Sequence, residues 1–430
     1  MRILVLGGYG LIGLAVSKRL ISEGHDVLGL ARSALKGKAS LPDADWYAAD
    51  LAKLTHSSDW LEILETVDVV INAAGVLQNG LKDNVQAVQC DAILALIDAC
   101  EQQGIAKFIQ ISAPGVSETA STLFYRSKAV ADQALKASVL EWTIFRPGLV
   151  LAPHAYGGTS LIRMLAAIPL VQPLVMADKQ IQTVSIDDVT AAVAKAIVTD
   201  LSGKDIDLVG PTSHSLAELV LHIRAWLGFS KPKAIWRLPN WLGWLTGKVA
   251  DLAGWLGWRS AMRSTAIQVI TNGVTGNSEH WKSISRQPAK TLEQTLNELP
   301  SSIQERVYAR AMLVFPMVLI VLAGFWLSSG IIGLFQHDRA VAVLDGAVPE
   351  STAHAFVWLG SVIDIIVGAA LLFRPLVRMA CLTSVIVSAG YLSASLIFTP
   401  HLWADPLGPM VKVIPAIGLA LVVTALAQER

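Results

Sequence analysis

A glycine-rich turn near the start of the chain constrains the fold more than any other feature. The first residues read MRILVLGGYGLIGLAVSKRL, in which Gly7, Gly10 and Gly13 recur at intervals of three directly after an apolar run at 3–6. An amphipathic helical pattern follows at 11–23. Glycines between a strand and a helix permit a sharp turn, let the backbone approach a pyrophosphate and let the helix pack closely on the strand. The pattern therefore predicts a loop that binds the phosphates of a dinucleotide.

A secretory signal or membrane anchor is the alternative interpretation of this segment. A signal peptide needs an apolar core that ends at a small-residue cleavage site. Here spaced glycines interrupt the apolar run, which continues into Ser-Lys-Arg at 17–19 on the amphipathic helix. We therefore favour the cofactor loop.

Short apolar runs alternate with helical patterns as far as about residue 209. Further strands are predicted at 27–30, 67–71 and 108–111, and a further helix at 85–103. Strands that alternate with helices indicate βαβ units and a doubly wound parallel sheet, so the fold class of this region is α/β.

The residues after the predicted strands indicate which dinucleotide binds. Arg32 and Ser33 follow the second strand about 20 residues beyond the glycine loop, where an acid would bind the ribose hydroxyl of NAD and an arginine suits the 2′-phosphate of NADP. Asp50 follows the third strand and is a candidate acceptor for the adenine amine. Small residues at 73–75 leave room for the ribose and nicotinamide side. We therefore expect NADP(H) in preference to NAD(H).

With these residues in place, the region 1–300 resembles the atypical branch of the short-chain dehydrogenase/reductase superfamily, whose nucleotide domain has the Rossmann fold. Further support comes from Ser112 at a strand end, YRSKA at 125–129, FRPG at 145–148 and SIDDV at 185–189. The candidate cofactor-binding residues are Gly7, Tyr9, Gly10, Leu11, Ile12, Gly13, Arg32, Ser33, Asp50, Ala73, Ala74, Gly75, Lys128 and Pro147.

The resemblance also implies a catalytic set of Ser112, Tyr125 and Lys128. In the superfamily a serine polarises a carbonyl, a tyrosine transfers the proton, and a lysine lowers the phenol's pKa and holds the nicotinamide ribose. That tyrosine lies four residues before the lysine, on the same helix face. Here Phe124 occupies that position, and Tyr125 is turned away from it by about 100°. Reductase chemistry and simple nucleotide binding therefore both remain open, as does a purely structural role for Ser112.

Composition indicates a membrane protein and excludes several other classes. Hydrophobic residues make up 53% of the chain and charged residues only 16%, below the roughly 25% usual in soluble domains. Lys+Arg and Asp+Glu both number 34, so charge gives no argument for nucleic acid. Three scattered cysteines do not suggest a disulfide framework or a thiolate metal site, and we predict no metal.

Four apolar segments near the end of the chain, at about 312–335, 354–373, 379–398 and 411–427, predict an all-α bundle of four transmembrane helices. The last is marginal, because about 17 residues is the shortest usual span. Arg306 and Arg310 precede the first segment, and Arg374 and Arg378 fill the second loop. By the positive-inside rule, both termini and the nucleotide domain are cytoplasmic, and the protein is integral to the membrane (the inner membrane, if bacterial).

Asp364 lies within the second apolar segment, where an ionised carboxylate costs about 2.5–3.5 kcal/mol on insertion scales. A polar stripe on the third segment is a candidate partner; it consists of Ser384, Ser388, Tyr391 and Ser395. A proton or quinone site and an interhelical hydrogen-bond clamp are both consistent with this pattern. The sequence VID at 362–364 and DPLGPMVK at 405–412 resemble the DoxX-like family, which weakly implies a quinone or a membrane partner.

The segment 231–305, between the nucleotide domain at 1–230 and the membrane domain at 306–430, is rich in tryptophan. Five tryptophans fall within 23 positions: Trp236, Trp241, Trp244, Trp255 and Trp258. With basic neighbours, they suggest either an amphipathic segment at the lipid headgroups or the wall of a substrate subdomain.

These observations lead to two functional hypotheses. The first is a membrane-anchored NADP(H)-binding oxidoreductase that acts on a hydrophobic, membrane-associated carbonyl, quinone or other lipid-like substrate. The second is a non-catalytic nucleotide-binding sensor or assembly factor for a membrane complex, as in the complex I accessory subunit that resembles this branch. Both expect the lipid bilayer as a partner and neither expects nucleic acid.

Overall fold

The computed structural model describes residues 1–81, 83–258, 260 and 262–427. They form two compact units, which we describe separately. Unit 1 contains Met1–Gly254 and Ser260–Arg306, and unit 2 contains the described residues of 255–259 and 307–430.

A seven-stranded sheet with the strand order β11-β6-β5-β4-β1-β2-β3 is the centre of unit 1. All of its pairings are parallel. The strands of the described chain are β1 Arg2–Leu6, β2 Asp26–Ala31, β3 Asp45–Ala48, β4 Val69–Asn72, β5 Lys107–Ile111, β6 Glu141–Pro147, β7 Leu149–Leu151, β8 Val171–Val175, β9 Gln180–Ile181, β10 Thr183–Ser185, β11 Lys204–Leu208, β12 His214–Ser215 and β13 Ala234–Leu238. This order confirms the predicted doubly wound sheet. It also places a crevice between β1 and β4, where the direction of winding reverses.

Helices cover both faces of the sheet, which explains why its strands are apolar runs without alternation. Ile3 and Val5 of β1 belong to one buried cluster, while Leu4 and Leu6 belong to the other. Successive side chains of a strand point to opposite faces, so a single strand supplies both clusters. The helices of this unit are α1 Leu11–Ser22, α2 Ala34–Ser40, α3 Leu61–Leu64, α4 Ala92–Gln103, α5 Leu123–Ala137, α6 Gly158–Ala166, α7 Ile186–Val198, α8 Leu216–Trp226, α9 Asn240–Trp255, α10 Ser264–Asn272, α11 Ser278–Ser285 and α12 Leu292–Glu298.

Two sequence-based boundaries are refined by the structure. The helix predicted at 85–103 contains a π-helical turn, Ala87–Asp91, directly before α4. The tryptophan-rich segment is not uniformly helical, because Trp236 lies on β13, which pairs in parallel with β8.

Unit 2 is helical and strongly apolar. The remaining helices are α13 Ile303–Phe335, α14 His337–Ala342, α15 Glu350–Leu372, α16 Val377–Phe398 and α17 Val413–Leu426. In the described chain, three helical segments are long and apolar enough to cross a membrane, at Ile303–Phe335, Glu350–Leu372 and Arg374–Phe398. The fourth, α17, has 14 residues and falls short of a full span of about 17–25. Three membrane-length helices are therefore observed, and a fourth span remains a prediction.

Candidate nucleotide-binding site

The glycine loop closes tightly between β1 and α1. Gly7 has φ +70°, and the amide of Gly10 donates to its carbonyl at 2.8 Å. A Cβ atom added to Gly13 would lie 2.3 Å from the Gly7 carbonyl oxygen, and one added to Gly7 would lie 3.0 Å from the Ala74 Cα. Neither Gly7 nor Gly13 therefore accepts a larger residue without rearrangement. At Gly7 the loop after β1 touches the loop after β4.

The N-terminus of α1 is suited to an anion. Gly10 is its N-cap, no described side chain caps it, and its first turn contains no acid. The first-turn amides of Leu11, Ile12 and Gly13 have no acceptor within the helix, and the helix dipole favours negative charge at this end. The residues predicted to bind the pyrophosphate thus present backbone donors at the crevice.

The other side of the crevice is fixed by amide side chains. Asn72 accepts a hydrogen bond from the Ala74 amide at 3.0 Å through Oδ1 and donates to Gln110 Oε1 at 2.9 Å through Nδ2. A Cβ atom added to Gly75 would lie 3.4 Å from Gln89 Oε1 and 3.9 Å from Lys128 Nζ. The structure therefore brings the predicted 73–75 segment and the predicted lysine together.

Arg32, Ser33 and Asp50 all lie at the carboxyl ends of β2 and β3, as predicted, but they have local partners. Arg32 forms an ion pair with Asp83 at 3.0 Å, with 42% of its side chain exposed. Ser33 Oγ caps α2, and Asp50 Oδ1 accepts from the Ala52 amide at 3.2 Å. A phosphate at Arg32 would therefore compete with, or join, an existing carboxylate.

Trp46, which the sequence analysis did not select, fills the space beside the glycine loop. Its ring would be within 2.6 Å of a Cβ atom added to Gly29 and within 2.2 Å of one added to Gly37. The ring of Tyr9 lies 6.1 Å from it, centroid to centroid. Gly29 and Gly37 were the available signal in the sequence. Their contact with the Trp46 ring depends on the folded structure, in which β2 pairs with β3.

Phe124 faces the lysine, and Tyr125 is buried. The Lys128 Nζ atom lies 5.9 Å from the centroid of the Phe124 ring. Tyr125 is only 4% exposed, and burial raises the pKa of its hydroxyl. The helix therefore places the phenylalanine, as its spacing of four predicts, where the resemblance would have a tyrosine.

Lys128 is a buried amine with a backbone acceptor. It is 5% exposed, and Nζ donates to the Ile111 carbonyl at 3.0 Å. Burial lowers its pKa to about 8, with Asp132 opposing that change and Arg146 adding to it. The amine can therefore change its protonation state near neutral pH.

Ser112 belongs to a buried charged network. Its hydroxyl donates to Asp132 Oδ2 at 2.6 Å and accepts from Arg146 Nη1 at 3.3 Å. Arg146 also lies 3.0 Å from Asp132 and forms a two-point ion pair with Asp205, at 2.7 and 3.0 Å. Burial raises the pKa of Asp132, while the Arg146 cation and the Ser112 hydroxyl oppose that change. The Ser112 hydroxyl therefore makes its hydrogen bonds to other side chains of the protein.

The sequence analysis missed this network. Asp132 lies one turn beyond Lys128 on α5, and that spacing of four was a usable signal. Pro147, predicted to contact the cofactor, is the buried last residue of β6 and pairs with Leu208.

In unit 2, Asp364 is clamped between two other helices. Ser329 of α13 donates to Oδ2 at 2.7 Å, and Tyr391 of α16 donates to Oδ1 at 2.8 Å. Of the predicted polar stripe, Ser384 and Ser395 instead donate to carbonyls of their own helix. The partner Ser329, on a different helix, was not predicted.

Each of the two units contains a segment that matches a known protein family. Residues 7–199 match the NAD(P)H-binding family, and residues 323–421 match the DoxX-like family. Over 212 residues, the chain is 26% identical to an uncharacterised protein of Mycobacterium tuberculosis, covering 49% of this chain and 22% of the relative. It is 32% identical over 147 residues to an Arabidopsis thaliana protein, NADH dehydrogenase [ubiquinone] 1 alpha subcomplex subunit 9, covering 32% of this chain and 36% of that protein. It is 29% identical over 147 residues to the Synechocystis photosystem II assembly factor Ycf39, covering 34% and 44%.

Two solved structures have the same fold. A dTDP-glucose 4,6-dehydratase of Bacillus anthracis with NAD aligns with a TM-score of 0.52 and 17% identity, covering 69% of this chain and 94% of that one. A UDP-glucuronic acid 4-epimerase of Bacillus cereus aligns with a TM-score of 0.51 and 17% identity, covering 73% and 100%.

The parallel sheet, the glycine loop at its switch point and these matches define the class: an NAD(P)-binding protein with a Rossmann domain, whose structural neighbours are epimerases and dehydratases of the short-chain dehydrogenase/reductase type. In this particular chain, the NAD(P)-binding Rossmann domain is followed by a DoxX-like domain with three membrane-length helices.

Proposed function

We propose that the protein holds NADP(H) without tyrosine-dependent turnover and acts as a membrane-anchored factor in the assembly or maintenance of a membrane protein complex. One observation carries this proposal: Phe124 faces Lys128, and the hydroxyl-bearing Tyr125 is buried. A phenyl ring can contact a nicotinamide but cannot transfer a proton.

The state of Ser112 supports the same proposal. A serine that polarises a carbonyl must offer its proton to the substrate oxygen. Here the proton is directed to Asp132, an acceptor held by Arg146. Withdrawing it would leave a buried carboxylate with one hydrogen bond fewer, which costs about 1–3 kcal/mol. The contacts with Asp132 and Arg146 therefore hold the Ser112 hydroxyl in its present orientation.

The names of two relatives agree with this role, since one is a subunit of an NADH dehydrogenase complex and the other an assembly factor for photosystem II. The cofactor preference rests on Arg32, whose guanidinium at the end of β2 suits a 2′-phosphate. The cytoplasmic orientation rests on arginines at one end of the membrane helices, Arg306, Arg310, Arg374 and Arg378.

The test begins with the full chain in lipid nanodiscs. NADPH is titrated by nicotinamide fluorescence, and its oxidation is followed with a panel of carbonyl and quinone acceptors. We expect saturable binding without multiple-turnover oxidation, and binding weakened more than about tenfold in Gly13→Ala. Sustained oxidation that is lost in Gly13→Ala would contradict the proposal.

The cellular role is tested in a host that lacks the gene. Membrane complexes are compared on native gels after complementation with the wild type or with Gly13→Ala, at matched expression. We expect the wild type alone to restore the affected complex. Equal restoration by both would show that nucleotide binding is not needed for the role.

Hydride transfer to a membrane quinone is the second candidate, and Lys128 is the observation that favours it. Its amine lies beside Gly75 at the crevice, with a pKa lowered to about 8. When bound, NADPH supplies a hydride, so a quinone would need one further proton to become a hydroquinone. Lys128 could deliver that proton and regain it from water. This candidate predicts quinone-dependent oxidation that is lost in Lys128→Met and unchanged in Tyr125→Phe.

A further inference from the structure

The helix α9 packs with its small residues inward. Its buried positions are Gly243, Gly247, Ala250 and Gly254. A Cβ atom added to Gly247 would lie 2.9 Å from the side chain of Ile267, and one added to Gly254 would lie 2.7 Å from that of Arg263. The helix therefore lies so close to its neighbours that they cover its small residues and leave its large ones outside.

The large apolar residues of α9 project from the opposite side. Six of them are between 45% and 66% exposed: Trp241, Trp244, Leu245, Val249, Leu252 and Trp255. At about 100° per residue, these six fall within an arc of about 140°, centred opposite the glycines. We call this set the α9 outer face. A soluble domain would normally bury such a stripe and expose the small residues.

Charge on α9 is sorted in the same way. Its only acid, Asp251, turns inward and accepts hydrogen bonds from Gln78 at 2.7 Å and from the Ser264 amide at 3.2 Å, beside Arg263 at 3.4 Å. Its only base, Lys248, lies within the outer face with its ammonium 5.7 Å from the Trp244 ring. The outer face therefore combines tryptophan, aliphatic side chains and one cation, with no negative charge.

The residues that follow α9 belong to unit 2. The Arg374 amide donates to the Leu256 carbonyl at 2.9 Å, and the Trp258 indole donates to the Leu372 carbonyl at 2.7 Å. The Arg374 guanidinium lies 5.4 Å from the Trp258 ring. Arg374 stands in the short connection between two membrane-length helices, α15 and α16. The residues immediately after α9 therefore contact the connection between two helices that are long and apolar enough to cross a membrane.

We propose that the α9 outer face is embedded in the headgroup region of the same bilayer, parallel to its surface. Tryptophan and lysine are the side chains that favour this depth, and an interfacial helix buries its apolar face by about 5–10 Å. Chain continuity supplies the bilayer as the occupant, because the residues that follow α9 contact the connection between two membrane-length helices. The outer face also carries one cation and no acid, which suits the anionic headgroups of a lipid surface.

Depth measurement in the intact protein tests the proposal. Single cysteines at Val249 and Leu252 are spin-labelled in the full chain, reconstituted in nanodiscs of phosphatidylcholine and phosphatidylglycerol. Matched labels at Leu35 and Val198 provide controls, because both are exposed apolar residues of unit 1 that lie outside α9, at 86% and 72% exposure. The native cysteines Cys90, Cys100 and Cys381 are buried, and the unsubstituted chain gives the background labelling. NADPH binding by each labelled chain verifies folding.

Collision rates with oxygen and with a water-soluble nickel chelate decide the result. We expect oxygen to dominate at Val249 and Leu252, and the nickel chelate to dominate at Leu35 and Val198. Nickel accessibility at the α9 labels equal to that of the controls would overturn the proposal. Low accessibility to both reagents would also overturn it, since the face would then be covered by a second copy or another protein.

Discussion

Replacing Lys128 by methionine should make the nucleotide-free protein more stable at neutral pH. The folded structure lowers the lysine pKa from 10.5 to about 8, mainly because the amine is buried. A tenfold change in a proton-binding constant corresponds to about 1.4 kcal/mol, so the buried charge costs roughly 3 kcal/mol. Methionine has a similar length and no charge, and removes that cost.

The gain is partly offset, because the Ile111 carbonyl loses the hydrogen bond that Lys128 donates at 3.0 Å. An unsatisfied buried carbonyl costs about 1–2 kcal/mol, which leaves a net stabilisation of about 1–2 kcal/mol. In a domain of this size, that is a rise in Tm of about 2–6 °C. The assay is thermal unfolding of the full chain in nanodiscs, followed by tryptophan fluorescence without nucleotide.

The pH dependence has a definite sign. Between about pH 8 and pH 10.5 the unfolded chain keeps the lysine proton that the folded chain has released, so wild-type stability rises with pH in that window. The advantage of Lys128→Met should therefore shrink across it. Lys136→Met is the control, since Lys136 lies on the same helix and forms an ion pair with Asp205 at 2.7 Å. A Tm for Lys128→Met that is below the wild type at about pH 7, with no pH-dependent difference, would refute the reasoning.

Two further substitutions, each paired with a control substitution, test the two units separately. Gly13→Ala places a Cβ atom 2.3 Å from the Gly7 oxygen and should weaken NADPH binding more than about tenfold by fluorescence titration. Gly158→Ala, where the Cβ would make an ordinary 3.4 Å contact, should bind as the wild type does. Asp364→Ala leaves Ser329 and Tyr391 without their carboxylate and should lower the stability of unit 2 by about 1–2 kcal/mol in detergent melts. Ser384→Ala, which removes only a bond within α16, should change little; equal losses for both would show that the clamp does not matter.

The class of fold could be predicted from the sequence because it depends on local pattern. Gly7, Gly10 and Gly13 lie within one turn and one helix start, and their roles follow from backbone geometry. The alternation of apolar runs with helical patterns, and the long apolar segments from about residue 312, are equally local. Even the presence of Phe124 where the resembling family has a tyrosine could be recognised by counting four residues back from Lys128, because α5 is a regular helix.

Side-chain partnerships were decided by tertiary structure. Ser112 follows β5, Asp132 lies on α5 and Arg146 lies on β6, and only the packed sheet brings them within hydrogen-bond distance. The sequence of α9 showed tryptophans but not which side they occupy. That depended on glycines fitting closely against other elements of unit 1. Local spacing determines which segments form turns, strands and helices, whereas the environment of a side chain depends on residues far away in sequence.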